Sequence, residues 1–276
     1  MARELEKWQI AERSMIKKYR KEIWNPFIAA IKRYELIQSG DRIAVCISGG
    51  KDSMLLALLM KHLQPFSDVP FELEYLCMDP GYSPENRARI EQNACLLHLP
   101  VSFFKTDIFS SAEDAGGEHP CYLCARMRRG YLYAEARRRG CNKIALGHHL
   151  NDVIETALMS MSYGAQLQGM LPRLKSTNFP GMELIRPLYC MREDDIIAWR
   201  NYNDLHFLRC ACRFSERSET DDGISKRQET KELIRQMRMV NPNVEINLFA
   251  SLHKVNLDTL PGYKQDGQMH SFLEKL

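Results

Sequence analysis

No run of apolar residues in this chain approaches the roughly 20 that a membrane-spanning helix needs. The opening stretch, MARELEKWQIAERSMIKKYR, is charged throughout and holds no hydrophobic segment of the secretory kind. Both absences predict a cytoplasmic protein with no membrane partner. Internal repeats and low-complexity tracts are missing too. So is a large charge of either sign. The net charge is +3, so any nucleic-acid reading must rest on where the arginines stand. The phosphate-binding pattern G-x-x-x-x-G-K-[ST] does not occur.

What is present is 276 residues, enough for one large α/β domain with helical additions. There are also nine cysteines. In a reducing compartment these are thiols, metal ligands or catalytic groups rather than disulfides. Ile10, Met15, Ile23, Ile28, Ile31 and Leu36 recur at helical spacing, interrupted near Pro26 and stopped by Gly40. RIAVCIS (42–48), FELEYLCMD (71–79), VSFFKTD (101–107) and KIALGHH (143–149) read as strands. MLLALLMKHL (54–63), the stretch from Ser83–Pro84 to His98, residues 122–139 and NDVIETALMSMSY (151–163) read as helices. The segment 110–120 reads as a loop. The alternation predicts a doubly wound parallel α/β sheet, with ligands bound beyond the carboxyl ends of the strands. After Leu188 the pattern is mostly helical, with helices expected at 227–240 and over VEINLFASLHKV (244–255).

Three motifs carry chemistry. Ser48, Gly49, Gly50, Lys51, Asp52 and Ser53 stand between the first strand and its helix. Two glycines let the backbone turn tightly and approach a phosphate, and the amides and dipole of the helix start favour the anion. Lys51 adds a point charge, and Ser48 and Ser53 add hydroxyl donors. In the second motif, GHHLNDVIET (147–156), Asp152, Glu155 and Thr156 lie at i, i+3 and i+4 on one helix face. A carboxylate there suits Mg2+ bound to phosphates, or an acceptor that must be oriented. Convergence of the strand ends puts Met78 and Gly147 beside whatever the Ser48–Ser53 loop binds. The third motif is Cys121-x-x-Cys124, with Cys210 and Cys212 as a second pair far along the chain. Taken alone, a C-x-x-C leaves zinc, a redox dithiol and an iron–sulfur cluster open.

SGGKDS after a first strand resembles the PP-loop of the ATP-pyrophosphatase superfamily, whose HUP-like Rossmann-type domains cleave ATP between the α- and β-phosphates. The order SGGKDS, CYLCARMRRG, GHHLNDVIET and a late cysteine is similar to the TtcA family of tRNA 2-thiocytidine synthetases, over about residues 15–215. The resemblance implies an N-terminal helical segment (1–40), a PP-loop ATP-binding domain with a C-x-x-C insertion (41–204) and a C-terminal cysteine-containing helical segment (205–276). It implies ATP, Mg2+ and a [4Fe–4S] cluster held by Cys121, Cys124 and Cys210. Cys212 is the alternative third ligand, because Cys-Ala-Cys replaces a wider pair. The implied reaction is adenylation of a base carbonyl oxygen, with Lys51, Asp52 and Asp152 positioning the phosphates, followed by sulfur transfer. Arg128 and Arg129, one turn after Cys124, are expected to hold phosphates or the tRNA backbone. The implied partners are tRNA and a sulfur donor, either a cysteine desulfurase or free sulfide, with a homodimer allowed for. Three rival readings remain. One is a thiolase of another RNA base or a small molecule, another is an amide-forming ligase with structural zinc, and the last is a non-enzymatic RNA-binding protein.

Overall fold

The computed structural model describes residues 5–106, 120–208 and 225–276, with 120–126 as backbone only. Of the expected 110–120 loop, residues 110–119 lie outside the described residues, as do Cys210 and Cys212, and Pro120 is helical. The chain forms two compact units, Met1–Asp152 with Met170–Ile224, and Val153–Gly169 with Ser225–Leu276. Among the described residues no helix is long and apolar enough to cross a membrane.

The first unit is built on a six-stranded sheet of order β3-β2-β1-β4-β6-β5. The strands are β1 (Arg42–Ile47), β2 (Glu72–Asp79), β3 (Val101–Lys105), β4 (Lys143–Ala145), β5 (Arg173–Lys175) and β6 (Glu183–Ile185). All pairs are parallel except β5 with β6. Strands covered on both faces read as continuous apolar runs, and Ile43, Ala44 and Val45 of β1 are fully buried. Helices α1 (Lys7–Ile16) and α2 (Asn25–Arg33) precede the sheet, separated by a π-turn at Arg20–Trp24. Pro26 opens α2, so the N-terminal helix is divided where its proline stands. Helix α3 (Lys51–Leu63) follows β1, and α4 (Pro84–Leu96) follows β2, capped by the Ser83 hydroxyl. Helix α5 (Pro120–Arg138) leads into β4, α6 (Leu150–Gly164) follows it, and α7 (Glu193–Tyr202) comes after β6. The N-terminal helices belong to this unit. Trp199 of α7 is fully buried and donates to the Ser14 hydroxyl of α1 at 3.0 Å.

Several expectations need correction. Helix α3 begins at Lys51 rather than Met54, which puts Lys51, Asp52 and Ser53 on its first turn. Strand β4 ends at Ala145, three residues before the first histidine of GHH. After Leu146 donates to the Ile185 carbonyl the chain leaves the sheet, and His149 ends up at the start of α6. Strands β5 and β6, three residues each, fall where no strand was read. The C-terminal region is not wholly helical either. After α8 (Lys226–Val240) and α9 (Val244–Ser251) it closes on a hairpin of β7 (Gly262–Gln265) and β8 (Gln268–Ser271). Asp266 and Gly267 both take positive φ there, the geometry that Asp-Gly favours in tight hairpins.

The amino end of the sheet is locked by one buried cation. Lys143 Nζ lies 2.6 Å from Asp41 Oδ2 and also donates to the Leu36 carbonyl and the Gln38 side chain. Asp41 Oδ1 accepts from Asn142, whose own side-chain oxygen accepts from the Arg42 amide. Breaking one side of such a pair strands the other charge out of water. Asp41→Ala should therefore cost about 3–5 kcal/mol in denaturant unfolding. Lys143→Met strands the buried Asp41 carboxylate in the same way and should cost a similar amount, while the double variant should cost distinctly less than the sum of the two. Additive losses would contradict this account.

Candidate functional site

Strand order reverses between β1 and β4, and the chain segments leaving the two strands meet there. Gly49 takes φ +84° and a side chain on it would strike Ile90 at 2.6 Å, so only glycine fits. Gly50 is the N-cap of α3 and offers no side chain to the first amides of the helix. Those amides and the helix dipole remain directed at whatever lies beyond. Ser53 is buried and its hydroxyl donates to the Gly50 carbonyl while accepting from the Ser48 amide. These bonds hold the turn in shape. Gly147 abuts the start of α3, where a Cβ would lie 3.0 Å from the carbonyl carbon of Asp52 and 3.1 Å from the Ser53 nitrogen. Gly147 is thus placed against the loop by backbone contact. Met78 is buried at the carboxyl end of β2.

The ionisable groups converge on His149, which is 3% exposed. Its Nε2 lies 3.8 Å from Asp52 and 3.9 Å from Glu193, and its Nδ1 lies 3.5 Å from Asp152. The Asp152 carboxylate also accepts from the His149 amide at 3.0 Å, fixing the helix start. Lys51 Nζ bridges two carboxylates, Glu193 at 2.8 Å and Asp52 at 3.1 Å. Burial works against the lysine charge, but the two carboxylates outweigh it and raise its pKa. Burial pushes the Asp52 carboxyl above its usual range, despite Lys51 and His149 beside it. One Asp52 oxygen, Oδ1, is buried without a hydrogen-bond partner. A hard oxygen of that kind, next to an anion-directed helix start, fits a Mg2+ nucleotide. Among the described residues no group of three acidic, cysteine or histidine side chains is already arranged around a cation.

Glu193 was not found from the sequence. It lies 142 residues from Lys51, and it reads as one of three acidic residues at an ordinary helix start. Glu155 shares a helix with Asp152 but works elsewhere, pairing with Arg227 at 2.9 Å and Lys231 at 3.7 Å within the second unit. Asp79 organises the turn after β2. Burial opposes its charge, but the Tyr82 and Gly81 amides and the Arg87 guanidinium hold its pKa below the usual range.

Two described segments adjoining cysteines in sequence lie toward the same edge. Helix α5 ends where β4 begins and packs on the sheet through Tyr133 and Ala136, so it runs antiparallel to the strands. Its first turns, which carry Cys121 and Cys124, therefore lie toward the carboxyl edge. Expected to start near Tyr122, the helix starts at Pro120 and includes both cysteines. Arg128 is half-buried and Arg129 exposed, just over one turn after Cys124. The second is the segment before Cys210. The Leu208 amide donates to the Gly49 carbonyl at 3.1 Å, and Asn93 donates to the His206 carbonyl at 3.0 Å. Cys210 follows two residues further along the sequence, outside the described residues.

The family model of the PP-loop domain matches residues 17–212. The chain belongs to the PP-loop family. Within it, the chain belongs with the tRNA-cytidine(32) 2-sulfurtransferases. It is 34% identical to that of Geobacter metallireducens over 87% of this chain and 91% of the relative. It is 36% identical to that of Geotalea uraniireducens over 82% and 88%. Among solved structures, the U34-tRNA thiolase NcsA from Methanococcus maripaludis, with its [4Fe–4S] cluster, shares the fold. The TM-score is 0.66 at 18% identity, over 87% of this chain and 80% of that one.

The close contact at Gly147 leads to a direct test. Gly147→Ala must push the β4 exit away from Asp52 and Ser53, at a stability cost of about 1–3 kcal/mol. ATP affinity measured by titration calorimetry should fall at least tenfold. Unchanged affinity would mean that this backbone contact does not shape the nucleotide site.

Proposed function

We propose that the chain catalyses ATP-dependent 2-thiolation of a cytidine in tRNA, position 32 in its relatives, within the cleft at the β1/β4 switch. The observation that carries the reading is the hydrogen bond from Leu208 to Gly49. It ties the chain leading into Cys210 and Cys212 to the phosphate loop itself. An amide ligase or a purely structural zinc site gives no reason for that coupling. Agreement with the curated relatives over most of their length supports the tRNA substrate.

In this reading Mg-ATP lies on Ser48–Ser53, with the amides of α3 cradling its phosphates and adenine beside Met78 and Gly147. Lys51 exchanges its Asp52 and Glu193 partners for phosphate oxygens. Asp52 and Asp152 hold the magnesium, and Asp52 Oδ1 is the oxygen that waits for it. The cytidine O2 attacks the α-phosphorus and pyrophosphate leaves. The work of the protein at this step is orientation and charge neutralisation. A sulfur nucleophile then adds to C2, and AMP departs carrying the former base oxygen. Arg128 and Arg129, next on α5 after the cysteines, steady the phosphates or the tRNA backbone.

Cys121, Cys124 and Cys210 would hold a [4Fe–4S] cluster. Three thiolates leave one iron position open for sulfide, which is the chemistry the group supplies when bound. The residues fit, because both cysteine segments lead to the carboxyl edge. Cys212 serves as the spare.

Mass spectrometry of tRNA nucleosides from a strain lacking this chain tests the function. We expect 2-thiocytidine to disappear and to return with the wild-type chain, while Lys51→Met fails to restore it. A thiocytidine level indifferent to the deletion would end the reading. For the ligands, Cys→Ala variants purified without oxygen should lose iron and visible absorption at Cys121, Cys124 and Cys210 but keep them at Cys212. Loss at Cys212 instead of Cys210 would reassign the third ligand. Stoichiometric zinc in the wild type would favour the ligase.

A further inference from the structure

Arg186 follows β6 directly, at the carboxyl edge of the sheet. It is 5% exposed. Among the described residues its one side-chain hydrogen bond runs from Nη1 to the Leu171 carbonyl, and its Nε is buried with no acceptor. No carboxylate among the described residues pairs with it. Of the charged groups that act on it, Arg129 repels and Asp152 attracts without forming an ion pair. Burial, then Arg129, pulls the Arg186 pKa down to about 10.

The packing explains why the two guanidiniums come within electrostatic range of each other and of Tyr133. Tyr133 of α5 is buried in one apolar cluster with Met182 and Leu184 of the β6 region. Arg129 stands one turn earlier on the same helix, which is one turn nearer the carboxyl edge. A buried guanidinium with five donors is more than one backbone carbonyl requires. Out of water and without a counter-charge it is costly, and a second cation beside it adds to the cost. Both costs vanish when an anion sits between the two arginines.

We propose that Arg186 and Arg129 form a phosphate-binding pocket at the β6 edge, separate from the phosphate loop on β1. The chemistry recognised is a phosphate group held by two guanidinium forks. The loop already supplies a backbone cradle for ATP, and β6 lies beyond β4 on the far side of the crevice. That position favours a backbone phosphate of the RNA next to the reacting base over a phosphate of the nucleotide. Only this RNA assignment rests on the proposed function.

The test compares wild type with Arg186→Met and Arg129→Met. Affinity for tRNA is measured across a salt series, affinities for ATP and pyrophosphate by calorimetry, and folding by melting temperature. We expect each variant to bind tRNA roughly tenfold more weakly. The slope of log affinity against log salt should shrink by about one. The ATP affinity of Arg186→Met should stay within twofold, and its melting temperature should hold or rise as the unpaired charge is removed. A loss confined to ATP or pyrophosphate would keep the pocket and assign it to the nucleotide. Unchanged affinity for all three ligands would overturn the proposal. So would a collapse of Arg186→Met in melting with Arg129→Met inert, since Arg186 would then be structural. If wild type binds no tRNA, the thiolation reading fails, and the pyrophosphate arm still decides the pocket.

Discussion

The close approach of two chain segments at the strand-order switch governs the rest of the molecule. The exit from β4 passes so near the first turn of α3 that a single methyl on Gly147 would meet backbone at 3.0 Å. Backbone against backbone leaves no slack. That contact sets where His149 falls, and His149 in turn gathers Asp52, Asp152 and Glu193. Lys51 bridges two of these carboxylates, and His149 stands among all three. In the proposed function these pairs are the ones exchanged for phosphates.

A second constraint ties the segment that precedes Cys210 to that site. The segment 205–208 is pinned at Asn93 and at Gly49. Gly49 is therefore engaged on both counts: its left-handed φ makes the loop, and its carbonyl holds the strap that leads to the late cysteines. The antiparallel run of α5 brings Cys121 and Cys124 toward the carboxyl edge. In the proposed function, activation of a base and delivery of sulfur to it need a shared cleft, since an adenylated base exposed to water would hydrolyse.

Much of this was legible in the sequence, for local reasons. Ser83–Pro84 caps and opens a helix as short-range rules require, and SGGKDS lies where an apolar strand hands over to a helix. Asp152 was visible because its motif follows a strand. Glu193 and Arg186 were not, because what defines them is distance in space. Glu193 meets Lys51 across 142 residues, and Arg186 looks like any charge at a strand end until its burial is known. Strands β5 and β6 are too short for a period of two to register. The Asp266–Gly267 turn was a signal that went unread, since the helical pattern before it set the expectation. Strand β4 was overread: apolar residues continue through Leu146, but pairing stops at Ala145.

The central claim is that the base oxygen itself becomes the leaving group through attack on ATP. A tRNA carrying oxygen-18 at the cytidine C2 carbonyl tests it directly, with the mass of AMP as the readout during thiolation. The account predicts that each AMP formed with a thiolated base gains one heavy oxygen, alongside unlabelled pyrophosphate. Unlabelled AMP, with the heavy oxygen released to water, would contradict it.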